Sequence, residues 1–261
     1  MEIHLFVTVI CAILGLMVGS FSNVCVYRIP RGESVAFPGS HCPNCQHTIA
    51  WYDNIPLLSW LFLKGKCRHC LSKISGRYPF LELLMAVSWG WLAWHFGATP
   101  VLLQSIVLIS LLWILTLIDL ETGLLPNVLT LPGIVVGLLF AWWLGYFEDA
   151  LIGAVAGYTA FWLIARVFSL VMGVEAMGYG DFKLLAMLGA FMGWQALPFI
   201  VFMSSFIGAI VGIIYLKLTQ QGKQTPIPFG PYLALAGMFW FLWGEVILHW
   251  YTAILFGQGR A

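Results

Sequence analysis

Eight apolar runs divide this sequence, at roughly 5–27, 79–96, 101–118, 127–145, 150–172, 182–193, 197–217 and 227–254. A helix needs about 20 apolar residues to cross a bilayer. The runs therefore predict an all-α polytopic membrane protein with about eight transmembrane helices. The second begins around Glu82, which leaves its start ambiguous, and the sixth is short. Composition supports this class: 61% of the 261 residues are hydrophobic and only 9% are charged, where a soluble domain carries about 25%. A net charge of +1 offers nothing to a polyanion, so nucleic acid is not expected as a partner. Gly208 and Gly212 form a small-xxx-small pair suited to helix packing.

Lysine and arginine set the expected orientation. Arg28, Arg31, Lys64, Lys66, Arg68, Lys73 and Arg77 follow the first run, Arg166 lies near the end of the fifth, Lys183 opens the sixth, and Lys217 and Lys223 follow the seventh. With eight crossings and an outside N-terminus, these eleven fall on or near the cytoplasmic side and only Arg260 falls outside. The positive-inside rule prefers that topology, which puts both termini in the periplasm. The first residues, Met-Glu-Ile-His, lack a basic n-region, so the first run is expected to be a retained span and not a cleaved signal.

Two aspartates then fall at one membrane face. Asp119 closes the third run, and Asp181 ends the tetrapeptide Gly178-Tyr179-Gly180-Asp181 that opens the sixth. Parity places both at the cytoplasmic edge. A carboxylate at such a depth costs a few kcal/mol or more and is functional by default. Two carboxylates that meet share a proton, one drawing a proton from water while the other hydrogen-bonds the scissile carbonyl. Peptide hydrolysis then needs neither metal nor covalent intermediate. Gly178 and Gly180 let the backbone approach an extended peptide closely. The plainer reading makes each aspartate a helix-end residue, with Asp181 an N-cap. Glu121 and Glu175 read as solvated loop edges, while Glu82 has Arg77, Lys183 or a substrate path as candidate partners.

The largest loop carries Cys42-Pro43-Asn44-Cys45 and Cys67-Arg68-His69-Cys70. Paired CxxC knuckles at this separation read as a four-thiolate zinc site. The cytoplasmic placement disfavours the alternative of two disulfides. A closed four-cysteine site is structural and has no open position for water. His41, His47 and His69 lie nearby as substitute ligands, and Cys11 and Cys25 read as small apolar residues of the first span. The expected division is residues 1–78, a first helix plus a small cytoplasmic zinc-binding domain, and residues 79–261, a seven-helix core. A proton-coupled transporter would also use intramembrane carboxylates, but near the midplane and in matched repeats. A structural scaffold with a zinc module would account for the cysteines but not for the GYGD tetrapeptide.

An ordered set of motifs runs through nearly the whole chain. It comprises Gly19-Ser20-Phe21-Ser22-Asn23-Val24, Tyr27-Arg28-Ile29-Pro30-Arg31, the two CxxC pairs, and Asp53-Asn54-Ile55-Pro56-Leu57-Leu58-Ser59-Trp60 between them. It continues with Ile74-Ser75-Gly76-Arg77-Tyr78-Pro79, Ile118-Asp119-Leu120, Leu125-Pro126, Gly178-Tyr179-Gly180-Asp181-Phe182-Lys183-Leu184-Leu185 and Pro228-Phe229-Gly230-Pro231-Tyr232-Leu233-Ala234. On these residues the chain resembles bacterial type IV prepilin peptidases, the leader peptidase/N-methyltransferases.

The resemblance implies a GxGD-type intramembrane aspartyl protease of the bacterial inner membrane with Asp119 and Asp181 as its catalytic pair. It implies cleavage of the basic leader of type IV prepilins or type II secretion pseudopilins at the cytoplasmic face, after a glycine. It implies N-methylation of the new amine from S-adenosylmethionine, although no GxGxxG marks a donor site. The family's zinc ligands correspond to Cys42, Cys45, Cys67 and Cys70. A leader's lysines would be drawn to Glu121, Glu175 or Glu82. The Pro228-Phe229-Gly230-Pro231 segment reads either as a proline-marked helix start or as irregular backbone that holds an extended substrate.

Overall fold

A computed structural model describes residues 2–173, 178–219 and 228–256. The calls on Glu175, Lys223 and Arg260 lie outside these residues. The helices are α1 (Glu2–Arg28), α2 (Leu58–Phe62), α3 (Arg77–Phe96), α4 (Pro100–Thr122), α5 (Asn127–Leu144), α6 (Phe147–Met172), α7 (Tyr179–Met192), α8 (Ala196–Thr219) and α9 (Gly230–Phe256). Among the described residues there are no extended strands, only two isolated bridges.

The eight expected runs each fall on a helix. Six stretches are long and apolar enough to cross a membrane: Glu2–Arg31, Pro100–Thr122, Asn127–Leu144, Phe147–Val171, Ala196–Tyr215 and Gly230–Trp250. α3 has the length but carries Arg77, Glu82 and His95. α7 has 14 residues, about 21 Å of helix against a hydrocarbon layer of about 30 Å. Two boundaries differ from expectation in a way that matters. α4 runs past Asp119 to Thr122, so Asp119 sits inside the last turn. α7 begins at Tyr179, so Asp181 lies within its first turn.

The chain packs as two units, Met1–Ser110 and Leu111–Ala261. In the first, α1 and α3 lie antiparallel. Their seam is small: a Cβ at Gly15 would come within 2.8 Å of the Met85 carbonyl, and one at Gly19 within 2.7 Å of the Glu82 Cα. Gly90 returns the contact against Ala12. Helices in lipid gain no hydrophobic drive from touching each other, so association falls to close backbone packing of this kind. Helix packing thus groups α3 with α1, whereas the division expected at residue 78 sets it with the core.

In the second unit α7 is the enclosed element, with ten buried residues running unbroken from Asp181 except at Lys183. Glycines of its neighbours admit it. A Cβ at Gly157 would meet the Leu185 carbonyl at 2.7 Å, and one at Gly153 would meet the Gly193 carbonyl carbon at 2.8 Å. Gly137 of α5 receives Phe191 at 2.7 Å. Gly208 packs against Phe229 and Tyr232, giving half of the expected small-residue pair a helix contact.

Gly157→Ala and Gly19→Ala should each destabilise the folded protein by about 1–3 kcal/mol, because overpacking must separate two backbones. Gly76, with open space around its Cβ direction, is the control. Unfolding in detergent reads the difference.

Candidate active site and cysteine cluster

The last turn of α4 and the first turns of α7 and α9 come together at one end of the second unit. Asp119 and Asp181 are both buried there, at 5% and 9% exposure. The Gly230 amide donates to Asp119 Oδ2 at 2.9 Å. This contact needs glycine, since a Cβ at Gly230 would lie 2.7 Å from that oxygen. Gly180 and Gly230 both close on one side chain, Leu125, at 2.8 and 3.3 Å from the Cβ each lacks. Leu125 therefore gathers the GYGD turn and the start of α9 around the carboxylates.

Local geometry separates the two readings of Asp181. The N-cap of α7 is Gly178, extended at φ −73° and ψ 142° with no side-chain cap. Asp181 stands three residues on, its amide donating to the Gly178 carbonyl at 3.1 Å. It is not the cap. The Gly178 backbone hydrogen-bonds the Asp181 carboxylate, and a Cβ there would lie 3.7 Å from Oδ2, in ordinary contact. Tyr179 is 63% exposed and sets its ring edge-on to Phe182 at 5.4 Å. Phe182 is buried and also meets Phe161 and Tyr158 of α6. Lys183 donates to Asn127 Oδ1 at 2.6 Å, joining the first turns of α5 and α7. Such a site presents two buried carboxylates, each hydrogen-bonded by a glycine backbone. Chemically it can share a proton and activate water.

The Gly230 amide was not foreseeable as a partner of Asp119, because 111 residues separate them. The Pro-Phe-Gly-Pro segment was the visible signal. It starts α9, as its plainer reading expects, and its glycine carries a polar contact to Asp119.

Glu82 has other partners than those expected. It is buried, accepts the Leu57 amide at 2.8 Å and is hydrogen-bonded by Ser20. Glu121 is exposed.

The four loop cysteines converge. Their sulfurs all lie within 4.8 Å of one another, and Cys42 Sγ to Cys70 Sγ is 3.7 Å. Tetrahedral zinc with bonds of about 2.3 Å sets its sulfurs about 3.8 Å apart, so the donor set fits. The two CxxC turns are the same structure repeated. The Cys42 amide donates to the His47 carbonyl and the Cys67 amide to the Ser72 carbonyl, each at 2.9 Å. The Gln46 and Leu71 amides return to the Cys42 and Cys67 carbonyls. Gln46 and Leu71 both take positive φ, +59° and +57°. Each turn closes with one antiparallel bridge, His41 with Thr48 and Lys66 with Lys73.

Hydrogen bonds favour thiolate at two of the sulfurs. The Ser72 hydroxyl, 3.0 Å away, together with the Ser72 amide pulls Cys70 down to about 5. The Cys45 amide lowers Cys42. Arg68 donates through Nε and Nη2, one edge of its guanidinium, to the two carboxylate oxygens of Asp53 at 2.7 and 2.5 Å, and that guanidinium holds the Asp53 carboxyl below the ordinary range. Asp53 thereby ties the segment between the turns to the second CxxC pair. Cys11 and Cys25 are buried in α1, as expected of small apolar residues.

The bacterial peptidase A24 N-terminal domain matches residues 13–96, and the type IV leader peptidase family matches residues 106–213. The chain is 45% identical to the prepilin leader peptidase/N-methyltransferase of Pseudomonas aeruginosa over 95% of its own length and 94% of the relative's. It is 45% identical to that of Stutzerimonas stutzeri, covering 92% of each chain, and 44% identical to that of Aeromonas salmonicida, covering 93% of each. No solved structure matches. The relatives, both family domains and the membrane-length helices agree, and this multi-pass membrane protein belongs to the type IV leader peptidase family.

Proposed function

We propose that the protein cleaves the leader of type IV prepilins or type II secretion pseudopilins and methylates the amine so exposed. The observation that carries the peptidase reading is the burial of Asp119 and Asp181 at one site, with the Gly230 amide on one and the GYGD turn on the other. The relatives are named for both activities.

The chemistry follows from the pair. Two neighbouring carboxylates in an apolar setting do not both ionise, and together they hold one proton. The ionised member takes a proton from water as the water attacks the scissile carbonyl. The protonated member hydrogen-bonds the carbonyl oxygen and helps protonate the leaving amine. The Gly230 amide orients the Asp119 carboxylate. Gly178 brings its backbone to the Asp181 carboxylate, and Leu125 fills the space beside Gly180. Residues 79–261 hold this peptidase machinery, and residues 1–78 carry the metal module. The basic loop after α1 lies on the cytoplasmic side of the inner membrane, with both termini periplasmic, in keeping with the positive-inside rule.

Cys42, Cys45, Cys67 and Cys70 would hold a structural zinc ion, which would cross-link the two turns. S-adenosylmethionine is the methyl donor. Methyl transfer requires a deprotonated amine held in line with the donated methyl, which is a matter of positioning.

Incubating the purified protein with a prepilin should release a leader-sized fragment. Asp119→Asn and Asp181→Asn should each lower that cleavage by about a thousandfold or more while the protein still inserts and folds, since an amide keeps the shape and loses the shared proton. Substantial cleavage by either variant would sink the pair.

Both aspartate variants should still methylate a pre-cleaved pilin. A one-methyl mass shift on the mature N-terminus is the readout, and its absence with wild-type protein and saturating donor would leave a peptidase alone.

Metal analysis should find about one zinc per chain, lost when Cys42 and Cys45 are both replaced by serine. Thiolate ligands must shed their protons to bind, so acidification should release the ion. Ser72→Ala removes the hydroxyl that keeps Cys70 low, so it should move zinc release to higher pH. Unchanged release would show that Ser72 does not tune the site.

A further inference from the structure

Between the two cysteine turns the chain makes a one-turn helix whose outer face is apolar. Leu58, Leu61 and Phe62 of α2 are 52%, 61% and 82% exposed. Their spacing, i, i+3 and i+4, puts them on one side. The opposite side is committed to the protein. Ser59 is buried, with its hydroxyl donating to the Tyr52 carbonyl. Trp60 packs over Gly65, and its indole N–H donates to the Ile74 carbonyl at 3.3 Å. The exposed face is therefore not a consequence of an ill-formed turn.

The depth of α2 is fixed by one hydrogen bond. Leu57 sits at φ +59° and ψ −50°, and the Leu58 amide reaches back to the Pro56 carbonyl at 2.6 Å. This is a three-residue γ-turn of the strained hand, rare for leucine. The turn aims the Leu57 amide at Glu82. Glu82 lies five residues into α3 and packs against Gly19 of α1. Gly19 stands nine residues before Arg28, the last residue of α1, or about 14 Å along the helix axis. α1 is long and apolar enough to cross a membrane. On that ruler α2 begins well below the charged end of α1. At the same level α1 and α3 expose Met17, Phe21 and Leu83. Immediately after Phe62 come the exposed Lys64 and Lys66.

We propose that α2 is seated in the lipid of the adjacent leaflet. Leu58, Leu61 and Phe62 lie among the upper acyl chains, continuous with the lipid-facing surface of α1 and α3. Lys64 and Lys66 rise to the phosphates, as lysines at an interface do. Glu82 is the positioning residue that holds α2 at this depth. Trp60 then carries the constraint to the second cysteine turn, so the metal module is moored to the membrane surface at its middle as well as at its two ends.

The test uses the full chain in nanodiscs of phosphatidylethanolamine and phosphatidylglycerol, with p-benzoylphenylalanine replacing Phe62 or, as control, the exposed Thr48. Irradiation should give phospholipid adducts at position 62 and none at position 48. Glu82→Gln should keep bound metal yet lose adducts at position 62, because the neutral amide holds the Leu57 amide less tightly. Adducts at position 62 to another part of the same chain, or to a second copy, would overturn the proposal. So would the absence of any adduct, or equal lipid labelling at both positions.

Discussion

Backbone-to-backbone approach at glycine is the interaction on which this structure depends. α7 carries Asp181 at one end, and it enters between α5 and α6 only because Gly137, Gly153 and Gly157 withhold a side chain there. In water an apolar helix of 14 residues would be driven into a core by the hydrophobic effect. In lipid that drive is absent, and what remains is dispersion, fit and the few polar contacts between helices. A short helix with nearly every residue buried is stable there only if its neighbours come close. The same device joins α1 to α3 through Gly15 and Gly19. At Gly230 it performs a further service, letting a backbone amide reach the Asp119 carboxylate.

Much of this was legible in the sequence, for identifiable reasons. Apolar runs reported the helices because lipid contact demands continuous hydrophobicity. Asp119 and Asp181 stood out because a carboxylate in such a run has few bland explanations. The CxxC pairs announced a four-cysteine cluster because that spacing folds into one turn each. Other features were hidden for equally physical reasons. The bond from Leu57 to Glu82 depends on a γ-turn that no propensity favours. The Gly230 amide reaches Asp119 across most of the second unit's sequence. Helix ends also shifted. The third apolar run stops before Asp119, yet its helix continues through Asp119 to Thr122, whose hydroxyl donates to the Ile118 carbonyl.

The cysteine module shows how a small loop acquires order without a core. Its two turns supply the same hydrogen bonds, the same left-handed residue and the same bridge, and only the metal donors face each other. Asp53 and Arg68 add an exposed clasp between the turns. An ion pair at the surface contributes little by itself. The loop is also tied to the long helices by Arg28 of α1, which donates to the Ser34 and Gly39 carbonyls, and by Glu82 of α3, which accepts the Leu57 amide.

The shortness of α7 has a consequence for Asp181. At its far end the Trp194 indole donates to Asp149 at 2.9 Å, the kind of anchor that marks a membrane–water boundary. α7 begins only two residues before Asp181, so no longer run of helix covers that carboxylate on its N-terminal side.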